Sequence, residues 1–199
     1  NLSRMVKPEV AVITNIAGAH FKNFNTLKDI AKAKAEIINN ITKDGNIILN
    51  EDDKFFTYLS NKAKKNEINI TSFSLKKKSD IYLMGIKKIK NYFRLKINVK
   101  NKIFYFITKH STDNFINNIL ACISIMFVLN LDLNKMKKKF IGFNIPEGRG
   151  DIKMIKKFNK RFKFIDESYN ANLLSMTSAI NNMNYYHDNK NHRKLVLLG

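Results

Sequence analysis

The chain has 199 residues, 44% of them hydrophobic, which is enough for one sizeable core or two small ones and excludes a disordered segment. Its 36 basic and 16 acidic residues leave a formal net charge of +20, the kind of excess that phosphate-binding surfaces carry. The lysines are nevertheless spread over the whole chain together with Asn and Ile, as AT-rich coding would leave them. No single basic stripe interleaved with aromatic residues stands out, so no specific nucleic-acid partner is expected.

In chain order, Val10 to Thr14 is a compact β-branched run that reads as a strand. A helix follows, with Thr26 as N-cap and Asp29 three positions on, the pattern of a capping box. Ile47 to Leu49 is a second short strand ending at Asn50-Glu51-Asp52-Asp53, and Lys54 to Lys65 carries Phe55, Phe56 and Leu59 at helical spacing. This alternation predicts a parallel sheet covered by helices. Lys76-Lys77-Lys78 reads as a solvated face. Ile81 to Ile89, Tyr92 to Val99 and Ile103 to Thr108 are rich in β-branched and aromatic residues and predict consecutive antiparallel strands. Asn114 to Leu129 is a strongly apolar helix, too short for the about 20 apolar residues of a membrane span. It holds Cys122, whose solitude excludes an internal disulfide and suits a reducing compartment. With no signal-peptide layout at the N-terminus, a cytoplasmic protein without membrane insertion is expected.

Asn134 to Phe140 predicts a short basic helix, and Pro146-Glu147-Gly148-Arg149-Gly150 is the best candidate for a domain hinge. Beyond it, Phe162 to Ile165 reads as a strand, Leu174 to Met183 as a helix and Leu195 to Leu198 as the next strand, the beginning of a βαβ unit. The start at Asn1 and the apolar run at the other end give the expectation of an internal piece of a longer protein.

Two residues carry potential chemistry. Ile30, Ala33, Ile37 and Ile41 fall on one helix face by their spacing, and Lys34 belongs to that buried side. An unpaired buried ammonium is costly and tends to lose its charge. From this helix alone, a lysine snorkelling at the edge of the stripe is the preferred reading, and a functional amine the sharper one. His20 sits in the loop after the first strand, where ligands bind in open α/β sheets, although a lone histidine proves no metal site.

Pro8-Glu9-Val10-Ala11-Val12-Ile13-Thr14-Asn15-Ile16-Ala17-Gly18-Ala19-His20, followed by Ala31-Lys32-Ala33-Lys34-Ala35-Glu36-Ile37, resembles the central domain of the Mur ligases. Asp166-Glu167-Ser168-Tyr169-Asn170-Ala171-Asn172, with Ser175-Met176 behind it, is similar to the opening of that family's C-terminal domain. The Tyr-Asn-Ala-Asn form points to the branch that adds D-alanyl-D-alanine. The resemblance implies an α/β fold: residues 1–149 as part of an ATP-binding central domain, a mostly parallel sheet with an antiparallel edge, and 150–199 as the start of a Rossmann-like C-terminal domain. It implies an ATP- and Mg2+-dependent ligase of peptidoglycan synthesis, a monomer when full length, joining D-alanyl-D-alanine to UDP-N-acetylmuramoyl-tripeptide through an acyl phosphate.

By the same resemblance, Lys34 is converted by carbon dioxide to a carbamate and becomes both a catalytic group and an anionic metal ligand. His20 helps bind the second magnesium, Asn117 lies near the adenine of ATP, and Arg149 approaches the nucleotide. Asp166 and the loop with Tyr169, Asn170 and Asn172 face the nucleotide or substrate from the second domain. Lys22, Asp113, Glu167 and Leu173 depart from the family's usual residues and mark a diverged member. No Gly-x-x-Gly-Lys-Ser/Thr phosphate loop occurs in the chain. In the family that loop precedes the position of Asn1, so this piece alone is expected to be inactive. The alternatives are another Mur ligase or a folylpolyglutamate-type synthase and, from a different class, a basic nucleic-acid-binding module.

Overall fold

The computed structural model describes residues 2–18, 24, 26–169, 173–185 and 193–197. They form two compact units, Asn1–Asn144 and Ile145–Gly199.

After a short helix, α1 (Leu2–Val6), the first unit is built on a six-stranded sheet in sequential order: β1 (Val10–Ile13), β2 (Asn46–Asn50), β3 (Asn69–Ser74), β4 (Ile81–Ile89), β5 (Tyr92–Val99) and β6 (Lys102–Thr108). β1 to β4 pair in parallel; β4, β5 and β6 pair antiparallel. The change of sense follows from the connections. Extended parallel pairing needs a long crossover, supplied by α2 (Leu27–Lys34) between β1 and β2 and by α3 (Phe56–Lys65) between β2 and β3. In contrast, β3 and β4, joined by residues 75–80, pair in parallel only at Phe73↔Ile81 and Ser74↔Tyr82, and β5 and β6 are joined by two residues. Those two, Lys100 and Asn101, both have positive φ (44° and 68°), as a tight hairpin requires.

Ile47, Ile48 and Leu49 are each fully buried, the continuous apolar run of a strand covered on both faces. One core cluster joins Ile48, Phe73 and Ile81 to Leu95, Ile97 and Phe106 and to Ile116, Leu120 and Ile123 of α4 (Asp113–Val128). The other lies on the opposite side, where Ile30, Ala31, Ile38, Leu59 and Ala63 meet Ala11, Ile47 and Leu49. Among the described residues no helix is long and apolar enough to cross a membrane.

Thr26 caps α2 in a full capping box with Asp29, as the sequence predicts. The helix itself departs from prediction: it ends at Lys34 and continues as a 3-10 segment, Ala35–Asn40. Three residues per turn bring Ala35, Ile38 and Ile41 inward, while Ala33 and Ile37 are only half-buried and Lys34 is exposed. The buried face on which Lys34 is expected therefore stops short of it, and its ammonium is turned to the Asn15 carbonyl. The tight turn after this segment holds Gly45, where a Cβ would lie 2.8 Å from the Glu9 carbonyl oxygen and 2.9 Å from that of Thr42.

Two further differences have simple causes. β3 has buried polar side chains, with Thr71, Ser72 and Ser74 at 8% exposure or less, so hydropathy does not announce it. The basic helix expected over Asn134 to Phe140 is two 3-10 turns, Leu133–Met136 and Lys139–Gly142, which bury Leu133 and Phe140.

The second unit holds an antiparallel hairpin of β7 (Asp151–Lys157) and β8 (Lys160–Asp166), then α5 (Leu173–Tyr185). The strand expected over Leu195 to Leu198 is not formed: Leu195 to Leu197 have no regular structure, and Leu198 lies outside the described residues. A strand exists only through its ladder, and among the described residues none runs beside this segment.

Candidate active site

Where β1, β2 and β3 end, their backbones leave the ladder and need new hydrogen-bond partners. The turn Asn50-Glu51-Asp52-Asp53 provides several of them. Asn50 Nδ2 donates to the Thr14 carbonyl at 3.1 Å, and Asp53 Oδ2 accepts from the Ile16 amide at 2.6 Å. Asp52 serves the other side, accepting from Ser74 Oγ at 2.8 Å and from the Leu75 amide at 2.6 Å. Strand exits of this kind are where open α/β sheets bind ligands.

Lys34 reaches the same place from the end of α2. Its Nζ donates to the Asn15 carbonyl at 2.8 Å, and its stem borders a shallow depression of about 300 Å³ lined by Val12, Ile13, Thr14 and Ile37. The residue as a whole is exposed, yet its ammonium end is partly desolvated, which lowers its pKa below that of an ordinary lysine against an opposing pull from the Asp53 carboxylate. Uptake of carbon dioxide needs the neutral amine, and the lowered pKa works in that direction. Among the described residues no group of three or more His, Cys, Asp or Glu side chains could hold a metal ion. His20 lies outside the described residues.

Asn117 projects from α4, and its Oδ1 is buried without a hydrogen-bond partner. A buried acceptor left unsatisfied costs about 1–3 kcal/mol, and a ligand's amino group is one donor that would relieve it.

The second unit gathers the remaining candidates. The Arg149 guanidinium stacks 4.0 Å from the centre of the Tyr169 ring, a cation–π contact. The Pro/Gly cluster is tied to the end of β8: the Gly150 amide donates to the Asp166 carbonyl at 2.7 Å, and the Tyr169 amide to the Gly148 carbonyl at 2.9 Å. Gly148 and Gly150 have φ of 73° and 91°, conformations that glycine alone adopts without strain. The Ser168 hydroxyl and amide hold the Asp166 carboxyl below its usual pKa, the amide donating to Oδ1 at 3.0 Å. Arg149, Asp166 and Tyr169 are thus brought together, while Asn170 and Asn172 lie outside the described residues.

Residues 1–126 match the family model of the Mur ligase middle domain, more than half of the chain. The chain belongs to the Mur ligase family. This member is 32% identical over 181 residues, 89% of its length, to the UDP-N-acetylmuramoyl-tripeptide–D-alanyl-D-alanine ligase of Buchnera aphidicola subsp. Baizongia pistaciae. It is 30% identical over 180 residues to the ligase of the same name from Rickettsia prowazekii. The crystal structure of MurF from Acinetobacter baumannii matches with a TM-score of 0.77 at 26% identity, covering 90% of this chain and 38% of that one. The chain spans 38% and 39% of the two curated relatives.

Asn50 and Asp53 are the site residues that sequence reasoning passed over. Both lie in an acidic turn that closes a strand, a visible signal, but their partners at Thr14 and Ile16 are 36 and 37 positions away.

Proposed function

We propose that this chain is part of an ATP-dependent amide ligase that joins D-alanyl-D-alanine to UDP-N-acetylmuramoyl-tripeptide, with residues 1–149 in its ATP-binding domain and 150–199 opening its C-terminal domain. The observation that supports it most is identity of 32% and 30% to two ligases of that name along about nine-tenths of the chain. The peptide carboxylate takes the γ-phosphoryl group of ATP, the amine of D-alanyl-D-alanine attacks the resulting acyl carbon, and phosphate leaves. Bound magnesium supplies charge neutralisation at the phosphoryl oxygens.

The chain's own residues then have distinct tasks. Lys34, as its carbamate, and His20 would hold the metal. Asn117 offers its unsatisfied Oδ1 to the amino group of the adenine. Arg149, set by its stack on Tyr169, would offer positive charge to the nucleotide, and Asp166 with Tyr169, Asn170 and Asn172 would meet the nucleotide or substrate.

The test is nucleotide turnover by the full-length protein with defined acceptors. ADP release is expected only when UDP-N-acetylmuramoyl-tripeptide and D-alanyl-D-alanine are both present. Turnover with a single amino acid in place of the dipeptide, or with a folate in place of the muramoyl peptide, would assign it to another branch.

A further inference from the structure

The exit of β1 is held by side chains from two other elements acting on consecutive residues: Asn50 on Thr14, Lys34 on Asn15 and Asp53 on Ile16. Ile16 is 5% exposed, so water is a poor substitute for the carboxylate that accepts its amide. Asp53 is itself locked, because its other oxygen, Oδ1, accepts from the Phe55 amide at 2.8 Å. Asn50 is locked likewise, accepting the Asp52 amide on Oδ1 at 2.9 Å while Nδ2 holds Thr14. With both carboxylate oxygens engaged on backbone amides, Asp53 is placed to fix other groups. Its negative charge also acts on the Lys34 ammonium, which grips the residue just before Ile16.

We propose that Asp53, assisted by Asn50, is a positioning residue of the active site, fixing Thr14 to Ile16 at the β1 exit so that the Lys34 amine bound to Asn15 is held in place for the phosphate-bearing ligand. The inference rests on the ligase reading above. An amide in place of the carboxylate keeps one acceptor oxygen but sets an NH2 donor against either the Ile16 or the Phe55 amide, so one of the two bonds that fix the exit is lost. Displacement of a reacting group by about 1 Å can cost on the order of a hundredfold in rate, so even partial release of this exit should be visible in turnover.

The variant is Asp53→Asn, with Asp80→Asn as the control. Asp80 makes a comparable local set of contacts, accepting from the Ser72 amide at 2.9 Å and from Lys100 Nζ, away from the β1 exit. In the full-length ligase, Asp53→Asn is expected to lower kcat about tenfold while changing KM for the muramoyl peptide less than about twofold. Asp80→Asn should leave kcat within about twofold of wild type. In this 199-residue chain, hydrogen exchange at the Ile16 amide should accelerate in Asp53→Asn while the amides of β5 keep their protection. Equal kcat in the two variants, or unchanged exchange at Ile16, overturns the proposal while leaving the ligase reading intact. A wild-type protein that forms no amide bond overturns the ligase reading and this proposal with it. Should Asp53→Asn fail to fold, Asn50→Asp, which keeps the acceptor for Asp52 and removes the donor to Thr14, decides by the same readouts.

Discussion

The two halves of the six-stranded sheet solve the same problem differently. In the antiparallel half, β5 and β6 are joined by Lys100–Asn101 and satisfy each other's backbone up to the turn, with pairing from Val99↔Lys102 to Phe93↔Thr108. In the parallel half each strand must end and leave, and its last polar groups are caught by Asn50, Asp52, Asp53 and Lys34 from elsewhere in the chain. A hairpin spends its hydrogen bonds on closing itself, whereas a parallel strand exit collects side chains that can be turned toward a ligand. The parallel half thereby holds the candidate chemistry of Lys34, while the antiparallel half closes on itself.

The largest effect should come from the parallel half. Lys34→Ala is expected to reduce turnover of the full-length ligase to background and to recover part of it when short carboxylic acids are added, since these can stand in for the carbamate oxygens. Unchanged turnover, or loss without rescue, would remove the carbamate from the picture. Thermal unfolding of Lys34→Ala should stay close to wild type, because the side chain is exposed.

The opposite pattern is expected in the antiparallel half. Phe106 is fully buried and packs edge-on against Phe140 with ring centres 5.6 Å apart. Phe106→Ala should cost about 3–5 kcal/mol of stability, measurable by urea unfolding. At temperatures where the variant is folded, kcat should be near normal. A selective loss of kcat without loss of stability would show that the division between the halves is wrong.

Gly45→Ala probes the parallel half, at the turn that leads into β2. The added methyl would sit 2.5 Å from Ile41 Cγ2 and within 3 Å of two backbone carbonyls, and backbone cannot give way as a side chain can. About 1–3 kcal/mol of destabilisation is expected from such overpacking. A smaller shift in the unfolding midpoint would mean that the turn between Ile41 and β2 yields easily.

Much of this division was legible in the sequence, for identifiable reasons. β4, β5 and β6 are β-branched and aromatic, and their own side chains announce them. The capping box at Thr26 is a local pattern in which every partner is within three positions. Features decided by tertiary contact were not legible. β3 buries Thr71, Ser72 and Ser74, which only their hydrogen bonds permit, Ser74 to Asp52 for example. The hairpin of β7 and β8 turns at Phe158 and Asn159, both at positive φ, without the Asn-Gly pair that advertises such a turn. The position of Lys34 depended on a change from α to 3-10 geometry one residue later, which a fixed period of 3.6 cannot anticipate. Motif order, by contrast, identified the family through Lys34 and Asp166 without reference to any contact.

Thr26→Ala tests how far local signals matter once the fold is assembled. It removes the hydroxyl that accepts the Asp29 amide at 3.2 Å, and a lost cap of this type costs about 1 kcal/mol. The effect should appear as a modest drop in the unfolding midpoint and as faster hydrogen exchange in the first turn of α2. Exchange in the antiparallel half should not change.

The smallest expected effect separates the halves by pH. Burial works to raise the Asp80 pKa, but the hydrogen bonds from Lys100 and Ser72 outweigh it and hold the carboxyl below its ordinary value. A carboxyl with a depressed folded pKa stabilises fully above its unfolded pKa, and that contribution is lost as pH falls through the folded value. Because Asp80 is only partly buried and its Lys100 partner is about half exposed, solvent screening should keep the contribution to about 1 kcal/mol. Unfolding midpoints measured from about pH 5 down to about pH 2 should fall less steeply for Asp80→Asn than for wild type, the two curves approaching each other at the acid end. Parallel curves would mean that the Lys100 side-chain contact at the edge of the antiparallel half is no stronger in the folded chain than in the unfolded one, and that the β5–β6 turn is tied to Asp80 by the backbone bond from the Lys100 amide to the Asp80 carbonyl.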